Sequence, residues 1–273
     1  MLSTLIKIGP VSIHSYGLLI GIGFIVSLYF MRRDARTRHF NPDHVTDLAF
    51  WGLLWGIIGT RVFHILLFPS EYSWSDPIGW IAVWRGGLVF QGAFPPVILV
   101  FIIYCKKHHL PIWKMADIVC PYIPLGHAFG RLGCFMHGCC FGKTCQLPWA
   151  VSFPAGSPAW DLHQRMGLIP PDAKWSLAIH PTQLYSAGGL LIIFLILRYL
   201  RERWHPVDGF TFPAYLVLYS IFRFVVEFYR GDHNPTHFGN LSDQQVFCLV
   251  GVGVGVLIYA MLIRRKKTSS QHS

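Results

Sequence analysis

Long apolar stretches recur along the whole chain, separated mostly by short polar connections. A helix needs about 20 residues to cross a hydrocarbon layer about 30 Å thick. Windows of roughly this length predict seven membrane-spanning helices, at approximately Ile13–Met31, Val45–Phe68, Gly87–Cys105, Asp117–Phe135, Pro181–Tyr199, Phe210–Phe228 and Gln245–Ile263. The pattern therefore predicts an all-α polytopic membrane protein in which residues 1–273 form a single transmembrane domain.

The third and fourth predicted spans contain residues that interrupt a regular apolar helix. The third includes Gln91 and the pair Pro95-Pro96. The fourth includes Asp117, Pro121, Pro124, His127 and Arg131. Irregular backbone at membrane depth is tolerated only where it is buried in protein or lines a cavity, so we expect both spans to be broken or cavity-lining.

The basic residues between the spans predict the orientation, because Lys and Arg that flank spans are retained on the cytoplasmic side. In a seven-span arrangement one side receives Arg32, Arg33, Arg36, Arg38, Lys106, Lys107, Lys114, Arg198, Arg201, Arg203, Arg264, Arg265, Lys266 and Lys267. We therefore expect the N-terminus outside and the C-terminus, with a short basic tail at 264–273, in the cytoplasm. The long connection at about 134–180 then forms a small extracytoplasmic cap.

Composition favours a membrane protein over a soluble one, since 53% of the residues are hydrophobic and only 13% are charged. The net charge of +10 is also typical of nucleic-acid-binding proteins. Here the positive charge lies in short connections between spans, so no nucleic acid is expected as a partner. Met1–His14 has no basic region leading into an apolar core and a cleavage site, which predicts that the first span is retained.

Ionisable residues also lie within or beside the apolar spans, where a charged group costs about 2.5 to 3.5 kcal/mol unless it meets water, protein or a partner. The expected orientation puts several near the outer leaflet: Arg61, Arg85, Arg131, Arg223, Glu227 and Arg230. Planar guanidiniums bind phosphate through paired hydrogen bonds, so the cluster predicts a lipid phosphate site. Alternatively, each arginine extends to the head groups or pairs with an acid, as the spacing of Arg223 and Glu227 allows.

The most unusual segment ends the fourth span and reads Gly130-Arg131-Leu132-Gly133-Cys134-Phe135-Met136-His137-Gly138-Cys139-Cys140-Phe141-Gly142-Lys143. It resembles the signature of the bacterial prolipoprotein diacylglyceryl transferases, usually G-R-x-G-N-F-x-N-x-E-x-x-G. The match retains Gly130, Arg131, Gly133, Phe135 and Gly142. It departs at Cys134, His137 and Cys139, where the family pattern has two asparagines and a glutamate.

Further segments resemble the same family in the same order along nearly the whole chain. They are His14-Ser15-Tyr16-Gly17, Gly59-Thr60-Arg61, Arg85-Gly86-Gly87 with Phe90-Gln91-Gly92, His180-Pro181-Thr182-Gln183-Leu184-Tyr185, and Tyr219 with Phe222 to Arg230. So many ordered matches do not arise by chance.

The resemblance implies an enzyme of the bacterial cytoplasmic (inner) membrane whose active site faces the outer leaflet. Such an enzyme transfers the diacylglyceryl group of phosphatidylglycerol to the lipobox cysteine of a prolipoprotein, forms a thioether and releases glycerol phosphate. By the same resemblance, Arg131 and Arg223 are the essential catalytic pair. Expected substrate-binding or supporting residues are Tyr16, Arg61, Arg85, Gln91, Gly133, Gly142, His180, Tyr219, Glu227 and Arg230. No cofactor is expected.

The general base is open, because Gln91 stands where the family has a histidine and an amide cannot accept a proton at neutral pH. His137, in the signature, is included among the predicted catalytic residues as a replacement. His180 is a second candidate. In a third interpretation no base is needed, because the substrate thiol ionises beside the arginines.

The cysteines allow two interpretations. Cys134, Cys139, Cys140 and Cys145 could bind a metal together with His137, but the adjacent pair and the missing C-x-x-C spacing disfavour this, and no metal is expected. A disulfide from Cys145 to Cys139 or Cys140 is favoured if the compartment is oxidising. Cys105, Cys120 and Cys248 are expected to pack as small apolar residues.

Three other functions compete with the transferase. A membrane thiol-redox protein would require a C-x-x-C motif and a cofactor site. A lipid transporter agrees with the broken spans and intramembrane charges, but the arginines gather at one leaflet and no half is duplicated. A divergent paralogue would keep the lipid site and use another acceptor, because three signature positions have changed.

Overall fold

In a computed structural model the described residues are 4–8, 11–73, 76–83, 86–232 and 241–271. They contain a short antiparallel hairpin of β1 (Thr4–Ile8) and β2 (Val11–His14) followed by ten α-helices. These are α1 (Ser15–Thr37), α2 (Pro42–Leu67), α3 (Pro77–Ile81), α4 (Phe94–Lys107), α5 (Ile112–Val119), α6 (Ile123–His137), α7 (Pro158–Arg165), α8 (Thr182–Arg203), α9 (Thr211–Glu227) and α10 (Asp243–Gln271).

Five segments in the described part of the chain are long and apolar enough to cross a membrane: Ser15–Thr37, Pro42–Leu67, Phe90–Lys107, Thr182–Arg203 and Asp243–Thr268. Only 11% to 33% of the most apolar window of each is buried, so most of this surface faces outward and requires lipid. The polytopic membrane class is thereby confirmed. The two remaining predicted spans correspond to shorter helices, α6 with 15 residues and α9 with 17.

The fourth predicted span is interrupted where the sequence indicated. Helix α5 ends at Val119, a 3-10 turn covers Cys120–Tyr122, and α6 begins at Ile123. Pro121 lies in the turn, and Pro124 lies in the first turn of α6, where a missing backbone N–H leaves no helical hydrogen bond unmade. The prolines therefore separate two helices without leaving a buried donor unpaired.

The third predicted span begins later than expected. A 3-10 turn at Phe90–Ala93 precedes α4, which starts at Phe94 rather than at Gly87. Pro95 and Pro96 lie in the first helical turn, so they start the helix and do not break it. The first span also starts later, at Ser15, because residues 11–14 pair with β1 in a hairpin that apolar periodicity did not reveal.

The chain divides into two compact units, Phe30–Met115 and Met1–Tyr29 with Ala116–Ser273. In the first unit α2 packs against α4. The side chain of Asn41 caps α2 by accepting from the Asp43 amide at 2.9 Å. The Tyr104 hydroxyl donates to Asp47 at 2.7 Å and lies 3.0 Å from His44 Nδ1, which ties α4 to α2.

The second unit contains α6 to α10, in which α6 packs on α8 and α9 packs on both α8 and α10. Glycines allow the close approach of α10 to α9. A Cβ atom added at Gly255 would lie 2.8 Å from Val217 Cγ2 and 3.1 Å from the Pro213 carbonyl oxygen. Small residues at helix interfaces are typical of membrane proteins, where close backbone packing replaces the hydrophobic effect.

A buried acid joins the break in the fourth span to the turn between α8 and α9. The Asp117 carboxylate accepts from the Gly209 amide at 2.6 Å and from the Thr211 amide and hydroxyl at 2.9 and 2.8 Å. His205 Nε2 lies 3.1 Å from the same carboxylate, and Arg201 donates to the Asp117 carbonyl at 2.7 Å. A carboxylate satisfied in this way fixes the cytoplasmic-side turn that the sequence predicts.

The predicted cap connection has an apolar core of its own. Phe141, Phe153, Ala159 and Ile179 are buried together, and their exposed fractions do not exceed 3%. Val151 pairs with Ile179 by two backbone hydrogen bonds of 3.1 Å, and α7 covers the cluster. The segment is therefore compact although it contains little regular structure.

Candidate functional site

The signature segment turns sharply where α6 ends. Gly138 adopts a left-handed conformation with φ of +83°, and its amide donates to the Cys134 carbonyl at 2.9 Å. Two residues later Cys140 also has a positive φ, +58°, which is uncommon for a residue with a side chain. These two reversals direct the backbone of Cys139 and Cys140 back toward α8.

The start of α8 holds this reversed backbone in place. The Thr182 hydroxyl donates to the Cys140 carbonyl and the Gln183 amide donates to the Cys139 carbonyl, both at 2.9 Å. Thr182 is 1% exposed and Gln183 is fully buried, so neither bond competes with solvent. The segment His180–Tyr185 thus fixes the position of the Cys139 and Cys140 carbonyl groups in the signature.

Gly142 passes between two backbones that leave no room for a side chain. Its amide donates to the His180 carbonyl at 3.1 Å, and the next amide, of Lys143, donates to the Tyr229 carbonyl at 2.8 Å. An added Cβ would lie 2.5 Å from His180 Cβ and 2.8 Å from the Tyr229 carbonyl oxygen. At Gly133 an added Cβ would lie 3.0 Å from Tyr16 Cδ2, so this glycine allows α1 and α6 to approach.

Arg131 and Arg223 both lie near His127. Arg131 Nε donates to His127 Nε2 at 3.2 Å, one turn earlier on the same face of α6. The guanidiniums of Arg131 and Arg223 both interact electrostatically with the His127 ring. The Tyr219 ring lies 5.7 Å from that ring and also interacts electrostatically with Arg131. The structure therefore brings together the two arginines that the resemblance selects.

The ion pair predicted from spacing on α9 is present. Arg223 NH1 lies 2.5 Å from Glu227 Oε2, and both residues are 6% exposed. The second carboxylate oxygen of Glu227 accepts from the Ser242 hydroxyl at 3.0 Å. Glu227 therefore holds Arg223 and is itself held by the start of α10.

Arg230 has an acidic partner that the sequence analysis did not identify. Its Nε and NH2 donate to the two Asp232 carboxylate oxygens at 2.8 and 2.7 Å. Arg230 is 7% exposed and interacts electrostatically with Cys140. The isolated bridge between Arg230 and Gly142 brings this arginine beside the signature.

Tyr16, His137 and His180 lie around the signature, and the structure gives them no hydrogen bond to Arg131 or Arg223. Tyr16 is 41% exposed, and its ring lies 6.4 Å from the ring of His137, which is exposed at the end of α6. His180 Nδ1 lies 3.3 Å from the Tyr185 hydroxyl, and its ring lies 5.3 Å from that of Tyr229. His137 and His180 therefore both remain candidates for the base.

Within the other unit, Arg61 is surrounded by backbone carbonyl groups. Its Nε donates to Trp80 at 3.2 Å, and its NH1 donates to Gly86 at 2.6 Å and to Gly87 at 3.0 Å. Its NH2 donates to the Gly79 carbonyl. The Arg61 guanidinium thus holds the backbone of the connection before α4 in place. Its predicted contact with lipid phosphate stays a prediction.

Gln91 and Arg85 are the other two predicted site residues of this unit. Gln91 is exposed in the 3-10 turn before α4. Arg85 lies outside the described residues.

All seven cysteines are free thiols, so the disulfide expected from Cys145 to Cys139 or Cys140 is not formed. Cys145 instead lies in the cap, where its amide donates to the Ala178 carbonyl at 3.0 Å. The sulfurs of Cys134, Cys139 and Cys140 lie within 4.8 Å of one another. Hydrogen bonds from Cys134 and Cys139, together with the charges of Arg230 and Arg131, lower the pKa of the Cys140 thiol below its usual value.

Sequence reasoning missed the roles of His127, Thr182, Gln183 and Asp232. His127 was treated only as a residue that weakens a span, although its spacing of four residues from Arg131 could have indicated a contact. Asp232 lies two residues after Arg230 and was not considered as its partner. The contacts of Thr182 and Gln183 join residues more than 40 positions apart, and no local pattern indicates such pairs.

Comparison with known proteins agrees with this arrangement. The profile of the family described as "Prolipoprotein diacylglyceryl transferase" matches residues 3–261. A phosphatidylglycerol–prolipoprotein diacylglyceryl transferase of Nostoc sp. is 33% identical over 268 residues, covering 96% of this chain and 90% of that protein. Enzymes of the same name from Dechloromonas aromatica and Clostridium tetani are 32% and 29% identical, over 95% of this chain and 95% and 97% of theirs. Because both the profile and these relatives span nearly its whole length, the chain belongs to the prolipoprotein diacylglyceryl transferase family.

Proposed function

We propose that this protein transfers the diacylglyceryl group of phosphatidylglycerol to the lipobox cysteine of prolipoproteins, the first step of lipoprotein maturation. Family membership and the names of the relatives support the reaction and both substrates. The observation that carries the assignment to this chain is the meeting of Arg131 and Arg223 beside the signature glycines.

The two arginines suit the charge that develops in this reaction. The sulfur of the substrate cysteine attacks the glyceryl carbon, a C–S bond forms, and the bond from that carbon to the phosphate oxygen breaks. The electron pair of the broken bond leaves with glycerol phosphate, so negative charge grows on the departing oxygen. Donors placed there stabilise the transition state more than the ground state.

The surroundings of each arginine fit this role. The bond to His127 engages Nε of Arg131 and not its two terminal nitrogens, which are the paired donors that a phosphate requires. Arg223 is held by Glu227, so its position is fixed before lipid binds. Tyr219 beside Arg131 and Tyr16 beside Gly133 supply polar groups that position the lipid.

The proton of the substrate thiol leaves to a base in this chain or directly to solvent. His137 is our candidate, because its imidazole is exposed at the end of α6 near Tyr16. The substrate thiol has an ordinary pKa of about 8.5, so it is mostly protonated between about pH 6 and 7, where a base accelerates its attack most. Full activity of His137→Gln in this range would exclude His137 and leave His180 or direct ionisation.

We further propose that two more segments cross the bilayer besides the five apolar ones. One is α9 and the other is the broken pair α5 and α6, which makes seven spans. The basic residues that end α1, α4 and α8 support a cytoplasmic location for those ends. The cap and the arginines of the signature then lie at the outer leaflet of the bacterial inner membrane.

The assay that tests the function combines the protein purified in detergent with phosphatidylglycerol and a lipobox peptide. Mass spectrometry should detect a diacylglyceryl thioether on the peptide cysteine. Arg131→Ala should lower the rate by on the order of 100-fold or more. Arg264→Ala is the matched control, because it removes an exposed arginine near the end of α10 and should leave the rate unchanged.

A folded protein that binds phosphatidylglycerol but forms no adduct would refute the transferase. The paralogue with another acceptor would then be favoured, since Cys134, His137 and Cys139 differ from the family signature. Movement of lipid across vesicles without any covalent product would instead indicate a transporter.

A further inference from the structure

Three cysteines of the signature form a cluster that the transferase reaction does not use. The sulfurs of Cys134, Cys139 and Cys140 lie within 4.8 Å of one another. In the described part of the chain, no further His, Cys, Asp or Glu side chain belongs to this group of possible metal ligands. The adjacent pair made such a site improbable from sequence, because neighbouring side chains in a regular segment point apart.

The backbone explains why the adjacent pair converges here. The left-handed conformation of Cys140, with φ of +58°, reverses the chain between the two sulfurs. The Gln183 and Thr182 side chains hold the carbonyls of Cys139 and Cys140, and Cys134 is fixed on the last turn of α6. The three sulfurs are therefore positioned by rigid elements, which is the condition for a preorganised ligand site.

Two guanidiniums lie near the cluster. Arg230 and Arg131 both interact electrostatically with Cys140, and Arg131 also with Cys134 and Cys139. Guanidiniums stabilise thiolates, and the thiolate is the metal ligand. Three soft sulfur donors select soft cations over Mg²⁺ or Ca²⁺.

An ion can reach the cluster from the cap side. A cavity of about 350 Å³ is lined by Cys139 and Cys140 at one part and by residues of α7 at another. Asp161, Arg165 and Asp232 also line it, and Asp232 is paired with Arg230. The cavity is larger than one hydrated ion requires.

We propose that Cys134, Cys139 and Cys140 form a three-coordinate thiolate site for a single Cu(I) ion. Metal–sulfur bonds of about 2.3 Å in a trigonal arrangement place the sulfurs about 4.0 Å apart, so each needs to move inward by at most about 0.5 Å. Zn²⁺ prefers four ligands, whereas Cu(I) accepts three thiolates. The cluster lies near Arg131, and copper binding to it requires neither lipid nor peptide.

The test is a titration of the reduced, purified protein with Cu(I) against a coloured Cu(I) chelator. We expect one equivalent to be withdrawn from the chelator, and a tenfold excess of Zn²⁺ should not reverse the binding. X-ray absorption at the copper edge should detect three sulfur neighbours. Cys139→Ser and Cys140→Ser should each weaken binding by at least 100-fold, and both change exposed or half-buried positions that a serine fits.

Cys145→Ser is the matched control, since it removes a half-buried cap thiol outside the cluster and should bind Cu(I) like the parent protein. The proposal fails if the folded parent protein withdraws no copper, if Cys145→Ser loses binding equally, or if Zn²⁺ displaces the ion. It also fails if thiol counting without reductant finds Cys134, Cys139 or Cys140 joined in disulfides. None of these readouts requires lipid or peptide, so a negative result leaves the transferase assignment intact.

Discussion

Arg131 depends on a histidine whose task is to accept a hydrogen bond rather than a proton. His127 Nε2 accepts from Arg131 Nε at 3.2 Å, and Arg223 interacts electrostatically with the same ring. His127 is thus a positioning residue that fixes the orientation of one guanidinium.

Replacing His127 should separate this role from general packing. We expect His127→Leu to lower kcat of diacylglyceryl transfer by about 10- to 100-fold, with a smaller effect on KM for lipid, because the donors lose their alignment in the transition state. His127→Gln should restore most of the rate, since the amide oxygen can accept from Nε. Equal losses in the two variants would show that the ring only fills space.

A second histidine makes the cap sensitive to pH. His163 is 4% exposed, and its Nδ1 accepts from the Leu177 amide at 3.2 Å, which requires a ring that is not protonated there. Burial lowers the pKa of His163 below its ordinary value of about 6.5. The unfolded cap therefore binds more protons than the folded cap once pH falls below about 6.5, and stability declines in that range.

Hydrogen exchange measured by mass spectrometry should detect this effect. After correction for intrinsic rates, amides of the cap core around Phe153 and Ile179 should exchange faster at pH 5.5 than at pH 7.5. His163→Asn keeps an acceptor for Leu177 but does not titrate, so its cap should lose most of the difference. A pH dependence unchanged in this variant would assign the effect to another group.

At the scale of helices, close packing between α9 and α10 depends on particular glycines. An added Cβ at Gly255 meets Val217 and the Pro213 carbonyl, whereas an added Cβ at Gly253 has nothing within 4 Å. Both glycines lie in α10, so any change in helix propensity is the same for the two.

Gly255→Val should therefore lower the unfolding temperature in detergent, with a loss of about 1 to 3 kcal/mol from forced separation of the helices. Gly253→Val should have an effect smaller than 1 kcal/mol, which reflects propensity alone. Thermal unfolding of the purified variants measures both values. Similar losses at both positions would mean that packing on α9 does not decide stability here.

The sequence predicted helices and helix breaks correctly wherever a local pattern determines them. Apolar length identified the five segments that are long and apolar enough to cross a membrane, and Pro121 correctly indicated a break before α6. The β1–β2 hairpin was missed, because residues 11–14 continue the apolar pattern of the helix that follows. The sequence predicts an interruption at Pro95 and Pro96, whereas both lie in the first turn of α4, because a sequence window does not show where a helix begins.

The contacts of the candidate site were likewise predictable from sequence only where they are local. The ion pair of Arg223 with Glu227 was predictable, because one helix carries both residues. The convergence of Cys139 and Cys140 on Cys134 was not, because it depends on bonds from Thr182 and Gln183 that only the folded chain provides. The disulfide expected in an oxidising compartment is not formed, since Cys139, Cys140 and Cys145 are all free.

For the whole molecule, the orientation in the membrane is a prediction with a direct test. A green fluorescent reporter joined to the C-terminus should fluoresce, because that end is expected in the cytoplasm. Alkaline phosphatase inserted at Gly167, an exposed turn of the cap with φ of +68°, should be active, because it is expected outside. Two inactive reporters in a bacterial host would invert the orientation, and a single active reporter would place both sites on the same side and refute the seven-span count.

The backbone bonds around Gly142 also set the order in which the protein becomes functional during synthesis. The Lys143 amide bonds to Tyr229, and the Gly231 amide bonds to the Phe141 carbonyl, so the signature requires chain made nearly ninety residues later. When the helices up to α8 have been inserted, Arg131 is already in the membrane. The backbone bonds from the signature to Tyr229 and Gly231 have not yet formed. Proteins are made from the N-terminus, and a ribosome must therefore pass residue 231 before any catalytic centre exists. A chain cut before residue 223 also lacks Arg223, so we expect it to be inactive in diacylglyceryl transfer.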